Sequence, residues 1–385
     1  MKILHISPCA PYNDYWGYQE NLLPKYQKKL GHDVTLIITN LTQKDGKWVE
    51  TDCGDYVLDD GVRVIRKARR THFIKAYGNI RSKMDVFEEL KELKPDFIFY
   101  HGLVSATIFD VAKYKKKINP RCVIVQDNHL DYNIGIRSTG IKNFLVKSYY
   151  RSLNRRSIKY VDRVYGVTPW RKLYAQKFFG IPAEKTDVLI MGADEEKIDF
   201  DNRNAIRERI RNEYSVKDDD FLIVTGGKID AKKKIHLLMQ ACAEIPGVRL
   251  IVFGSVQNDI KEEFYSLLEK NENVTYIGWI DSDRVYDYFF AADLAFFPGQ
   301  HSVLWEQACA SKIPCVFEKW DGMDHVDNGG NSKFVVSESA AQLREMVVSL
   351  KYTDEYKKMK AVAESDATNI YLYSEIAKKS LELVK

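Results

Sequence analysis

The sequence predicts an α/β protein of two doubly wound, Rossmann-like domains facing across a cleft. Three observations predict it. Short apolar runs rich in β-branched and aromatic residues alternate with amphipathic stretches along all 385 residues, the pattern of parallel strands covered on both faces by helices. The pattern restarts: "ILHISPCAPYNDYWGYQENLLPKY" and "FLIVTGGKIDAKKKIHLLMQA" each read as a strand, a glycine-bearing loop and a helix. A polar, charge-rich stretch, "GADEEKIDFDNRNAIRERIRNEYSVKDDD", separates the two halves.

In chain order, the strands of the first half are "KILHIS", "DVTLIIT", "DFIFYH" and "CVIVQD". Those of the second are "FLIVTG", "VRLIVFG", "VTYIGW", "LAFFPG" and "PCVFE". The expected domains are 1–194 and 195–365, with the final segment 366–385 packing back onto the first. Open sheets bind ligands beyond the carboxyl ends of their strands, so facing sheets form a cleft. A net charge of +4 is small for this length and excludes a general nucleic-acid binder. The six cysteines form no CxxC pair and suit a reducing compartment. The N-terminus reads as a strand and not as a signal peptide, and no run of 18 apolar residues exists, so the expected location is cytoplasmic.

Chemistry is concentrated at "VTGGKIDAKKKIHLL". Gly226 and Gly227 lack a Cβ and admit a ligand to the backbone, while a helix N-terminus offers free N–H groups and a positive dipole end. Lys228, Lys232, Lys233 and Lys234 add positive charge at a helix end where cations alone are disfavoured. The combination suits a diphosphate. No GxxxxGK[ST] is present, which argues against a P-loop nucleotidase. A second such corner is "FFPGQHSVLWEQACA", where Ser302 is expected to cap a helix and Glu306, in its first turn, suits hydrogen bonds from ribose hydroxyls.

With these motifs in order, the chain resembles the family 4 glycosyltransferases of GT-B architecture over essentially its whole length. The resemblance implies that 1–194 binds the acceptor and 195–365 the nucleotide sugar. "GKIDAKKK" is similar to the family's GRxxxxKG loop, with Lys228 at the Arg position, Lys233 at the Lys position and Lys234 replacing the glycine. Trp279 and Ile280 fall in the segment by the nucleotide base. Gly254, His301, Ser302 and Glu306 complete the expected donor set. Glu306 matches the second acid of the E-x7-E motif. Pro298 stands at the first, so Gln300 or His301 substitutes there.

In the first half, "YNDYWGYQEN" resembles the family's glycine-rich loop through Gly17 and Glu20. Gly17 is expected to admit the donor or the acceptor, and Asp14, Tyr15, Trp16 and Glu20 to bind the acceptor. His101, Asp127 and His129 lie at strand ends facing the expected cleft and join Lys228 and Lys233 as candidate catalytic groups. Asp127 and His129 both fit the family's His position. The other histidines, His5, His32, His72, His236 and His325, read as structural.

Asp-x-Asp triplets at 199–201, 218–220 and 281–283 fall in hydrophilic connectors and read as chance, so no metal or other cofactor is expected. Lysine charge then neutralises the departing diphosphate. The resemblance implies retention at the anomeric carbon, a UDP-sugar donor first and GDP-mannose next, and a glycan or lipid-linked acceptor in surface-polysaccharide assembly. Residues 137–160 carry seven Lys or Arg and no acid, with Ile141, Phe144, Leu145, Tyr149 and Leu153 at helical spacing. This suits peripheral contact with anionic lipid or, alternatively, a core-packed helix with a solvated basic face. A nucleotide-sugar 2-epimerase and a non-enzymatic sugar-nucleotide-binding protein are the competing readings.

Overall fold

The computed structural model describes residues 1–44, 46–71, 82–132, 140–243 and 245–384. They form two units, Met1–Ile190 with Ile376–Lys385, and Met191–Glu375. The division falls a few residues before the expected 194, and the chain rejoins the first unit at Ile376 and not at 366.

The first unit holds an eight-stranded sheet. Its strands are β1 (Lys2–Ser7), β2 (Asp33–Thr39), β3 (Gly54–Val57), β4 (Arg63–Lys67), β5 (Phe97–Tyr100), β6 (Val123–Asn128), β7 (Arg163–Gly166) and β8 (Thr186–Val188). Their spatial order is β8-β7-β6-β5-β1-β2-β4-β3. All neighbours run parallel except β3 and β4. β5 is buried throughout and β1 from Ile3 onward, as expected for strands covered on both faces. Helix α1 (Gln19–Lys29) follows the first loop, and α2 (Gly140–Ser157) lies between β6 and β7.

The second unit holds a six-stranded parallel sheet in the order β11-β10-β9-β12-β13-β14. Its strands are β9 (Phe221–Ile229), β10 (Val248–Val256), β11 (Val274–Tyr276), β12 (Leu294–Phe297), β13 (Cys315–Glu318) and β14 (Ser332–Val335). Helix α3 (Ile235–Ala243) buries Ile235, Leu238, Met239 and Cys242, the i, i+3, i+4, i+7 stripe of an amphipathic helix. Each large side chain so buried contributes roughly 1.5–3 kcal/mol. Helix α4 (Leu304–Ala310) is enclosed, with Trp305 fully buried. The last helix, α5 (Tyr373–Ser380), ends in the first unit, where Ser380 bonds Gln27 and Glu382 bonds Tyr165.

In both sheets strand order reverses beside the first strand, between β1 and β5 and between β9 and β12. Open α/β sheets bind ligands at such switch points, outside the carboxyl ends of the strands. β5 leads there into His101, β9 into the lysine turn, and β12 into Pro298 and Gly299.

Candidate functional site

The two glycines of the lysine motif lie inside β9 and not in a loop after it. Gly226 pairs with Phe253 and Gly227 with Gly254 on β10. A Cβ on Gly226 would come within 2.4 Å of the Phe253 ring. One on Gly227, whose φ is +111°, would come within 3.0 Å of Leu304. Packing against Phe253 therefore accounts for Gly226 and the positive φ for Gly227, a correction to the expectation that they leave room for a ligand.

Beyond β9 comes one 3-10 turn, Ala231–Lys233, before α3 begins at Ile235. Lys234 stands at the family's glycine position with φ +53°, the left-handed conformation glycine adopts without strain. Two amides of the turn are taken up inside the protein: Asp230 accepts the Lys233 N–H at 3.2 Å, and Asp259 accepts that of Ala231 at 3.2 Å.

The four lysines have separate fates. Lys228 is exposed and has no hydrogen-bond or ion-pair partner among the described residues. Lys232 is also exposed, and its carbonyl accepts the Gln300 N–H at 3.1 Å. Lys234 pairs with Glu318. Lys233 reaches inward, its Nζ donating to the carbonyls of Gln300 and, at 3.3 Å, His301. Burial lowers the Lys233 ammonium to about 8, against the opposing charges of Asp230 and Glu318. A Cβ on Gly299 would lie 2.4 Å from the Lys232 carbonyl oxygen, so the lysine turn and the loop after β12 touch backbone to backbone.

That loop holds a triad. His301 Nε2 and His325 Nε2 lie 2.9 and 2.8 Å from the same oxygen, Oε1 of Glu306. The Glu306 carboxylate is fully buried. Burial raises its pKa, but the two imidazoles outweigh that and hold it near 2. Its other oxygen, Oε2, has no partner among the described residues. Trp305 stacks on Phe317 at 4.5 Å and meets His301 edge-on at 5.1 Å. His325, expected to be structural, thus joins the candidate site. Ser302 does not cap α4: the N-cap is Val303, and the Ser302 hydroxyl is buried without a partner among the described residues. Trp279 is 68% exposed after β11, and the carbonyl of Gly278 beside it accepts the Gly254 N–H at 2.7 Å.

Among the described residues, His301, Glu306 and His325 are the set whose ligand atoms converge, within 4.8 Å of one another. Their 2.8–2.9 Å spacings are hydrogen bonds. Ligands about 2.0–2.1 Å from a tetrahedral zinc stand roughly 3.3 Å apart. As it stands the triad is hydrogen-bonded and does not have the spacing of a zinc site.

In the first unit the structure brings three candidates together. Asp127, fully buried at the end of β6, has Oδ2 2.9 Å from His101 Nδ1 and 3.2 Å from His129 Nε2. Its Oδ1 accepts the Gly102 N–H at 2.8 Å. Burial raises the Asp127 pKa, but the two histidines outweigh it and hold the carboxyl far below its usual range. Burial works against the charge on His129, yet Asp127 and Glu20 prevail and raise its pKa, with Arg171 opposing. Arg171 forms a buried ion pair with Asp131 at 3.2 Å. His5, unexpectedly, lies 3.1 Å from His101. A histidine within the apolar run "KILHIS" was the one signal of it.

The first loop is more tightly held than expected. Asp14 accepts from Tyr56 at 2.9 Å and from Arg66 at 3.0 Å, and Tyr15 donates to Asp59 at 3.2 Å. Trp16 meets Tyr18 edge-on at 5.0 Å. Gly17 is exposed with open space around it, and Glu20 sits half-buried in the first turn of α1. Of the basic stretch 137–160, residues 137–139 lie outside the described residues, as does His72. The Asp-x-Asp triplets make local bonds, such as Asp283 to Lys197 at 2.5 Å and Asp220 to the Lys217 N–H at 2.9 Å.

Residues 206–365 match the family model described as glycosyl transferases group 1, and residues 22–197 that described as glycosyltransferase family 4. No curated protein matches the chain in sequence. Solved structures share its fold. A glycosyltransferase from Rickettsia africae ESF-5 is 18% identical with a TM-score of 0.71, covering 99% of this chain and 97% of its own. Anabaena Alr3699/HepE in complex with UDP is 17% identical with a TM-score of 0.67, covering 99% of each chain. WaaG, a glycosyltransferase involved in lipopolysaccharide biosynthesis, is 18% identical with a TM-score of 0.63, covering 100% of both. With a family 4 half followed by a group 1 half on this fold, the chain is a glycosyltransferase of the group 1 type with GT-B architecture.

Proposed function

We propose that the enzyme moves a sugar from a nucleotide sugar, a UDP-sugar first and GDP-mannose next, to a glycan or lipid-linked acceptor, retaining the anomeric configuration and without a metal. The observation that carries this reading is Lys228, exposed and unpaired where β9 ends beside the switch point. An ammonium there, with that of Lys233 in the turn that follows, stabilises charge that develops on a leaving diphosphate. In this reading the bond from the anomeric carbon to the phosphate oxygen breaks with its electron pair going to that oxygen. The acceptor hydroxyl attacks from the same face, and its proton passes to the leaving phosphate. Gln300, whose side chain has no partner among the described residues, takes the place of the missing first acid, since His301 is engaged by Glu306. The two glycosyltransferase family models favour transfer over epimerisation, and the UDP complex of a protein of the same fold is in keeping with a UDP-sugar donor.

A thermal-shift series with UDP, GDP, ADP and their sugars tests the donor, because a ligand of the native state raises Tm. Stabilisation by UDP above GDP is expected. Sugar isomerised in the absence of acceptor would establish the epimerase instead, and no stabilisation by any nucleotide would end the donor reading.

The acceptor side adds a membrane contact to the proposal. No helix among the described residues is long and apolar enough to cross a membrane. On α2, Val146, Tyr150 and Leu153 are buried, whereas Ile141 and Phe144 are 80% and 69% exposed on the opposite face. Leu145, Arg151 and Arg155 continue that outward face. Apolar side chains followed by guanidinium groups suit a surface of anionic lipid, where a lipid-linked acceptor resides. Co-sedimentation with phosphatidylglycerol vesicles and loss of pelleting in Phe144→Glu are expected; absence of pelleting by the wild type refutes the contact.

A further inference from the structure

An unbroken chain of buried polar side chains runs from α5 through α1 and β1 to the ends of β5 and β6. The Ser380 hydroxyl donates to the Ala377 carbonyl at 2.6 Å, so it accepts the Gln27 amide N–H at 2.8 Å. Gln27 Oε1 therefore faces His5 Nε2, 2.7 Å away, and that nitrogen must carry a proton. His5 Nδ1 and His101 Nε2, 3.1 Å apart, need one proton between them. His101 Nδ1 donates to Asp127 Oδ2. The two rings thus hold three protons on four nitrogens, one positive charge opposite the Asp127 carboxylate. Burial lowers His5 to about 3, and it is the His101 ring that lies against the Asp127 carboxylate, so His5 keeps only its Nε2 proton and the shared proton stays on the ring facing Asp127.

We propose that His5 is a positioning residue whose bare Nδ1 keeps both protons on His101, so that Asp127 is charge-paired before His129 takes up or releases its own. The proposal rests on the reading of His129 as a catalytic group of the transferase. His129 shares Asp127 Oδ2 with His101, and Glu20 and the Arg171–Asp131 pair are the other charges facing it. A cationic partner on the same oxygen limits the pull of Asp127 on His129.

The test is a histidine Cε1–H NMR titration of the full-length protein, with His129 assigned by its loss in His129→Gln. Gln27→Met lets the His5 proton move to Nδ1 and donate to His101, which then becomes neutral. His5→Phe keeps the stacking on Phe99 but removes the acceptor. In both, the His129 midpoint is expected to rise by about one pH unit as Asp127 loses its second partner. Ser380→Ala, which only loosens Gln27, gives a smaller shift in the same direction should the others fail to fold. An unchanged His129 midpoint in a cooperatively folded variant overturns the proposal. A shifted midpoint with an unaltered pH profile of kcat upholds the proton placement and removes His129 from the chemistry.

Discussion

Gly254 stands opposite Gly227 in the β9–β10 ladder, and a Cβ on Gly254 would lie 1.8 Å from the Gly227 carbonyl oxygen. The obstacle is backbone in a central strand, and Gly254 itself has φ +124°. Gly254→Ala is expected to cost more than about 3 kcal/mol, seen as a steep fall in Tm or loss of soluble protein. Gly17→Ala, with open space around the new methyl, should melt within about 1 °C of the wild type. Equal melting of the two variants would refute the strand register.

Lys228 and Lys233 separate stability from chemistry. Lys228→Ala removes an exposed, unpaired ammonium, so turnover should fall by about 10- to 100-fold while Tm holds. Lys233→Ala loses the same kind of charge and also leaves the carbonyls of Gln300 and His301 without their donor, so Tm falls as well. Paired kcat and melting measurements check this. Wild-type turnover in Lys228→Ala would remove its role.

If Lys233 meets the phosphates as proposed, its depressed ammonium should make nucleotide binding pH-dependent. As pH rises through about 8 the free enzyme loses this charge, so the affinity for UDP should weaken between pH 7 and 9. Lys233→Met should flatten the profile. Calorimetric titration of UDP across that range decides it, and a flat wild-type profile would show that Lys233 does not meet the phosphates.

Acid should destabilise the fold in two overlapping steps. His5 stays neutral in the folded state down to about 3 but charges near 6.5 when unfolded, so stability falls as pH drops from 6.5 towards 3. Glu306 stays ionised to about 2 against 4.5 unfolded, adding a loss between 4.5 and 2. Urea melts from pH 7 to 3 measure the slope. His5→Phe should lose its share above pH 4.5, and an unchanged slope there would place a charge on His5 in the folded state.

EDTA should leave the transfer rate unchanged, because the proposed reaction relies on ammonium groups. A rate that needs added magnesium, or zinc recovered by the His301–Glu306–His325 triad, contradicts it.

The sheet strands announced themselves. "FLIVTG" and "VRLIVFG" are almost continuously apolar, with Arg249 the one charged residue, because both faces of a parallel strand are covered, and that property belongs to the local chain. The repeated strand, glycine and helix likewise placed the lysine turn and the His301–Glu306 loop at strand ends. The glycines were misread because a Gly-Gly pair looks the same whether it admits a phosphate or a neighbouring strand. Phe253 decided that for Gly226 from across the sheet, and Leu304 on α4 lies against Gly227.

Composition and periodicity by themselves determined two α/β halves and the corners where charge gathers, since these depend on residues a few places apart. Only the tertiary structure decided which charges face solvent and which protons are shared. His5 meets His101 and Gln27 meets Ser380 across 96 and 353 residues of chain, and such contacts exist only once strand order has brought them together. Burial then sets their protonation, because a desolvated group keeps its charge only where a partner stands within hydrogen-bond reach.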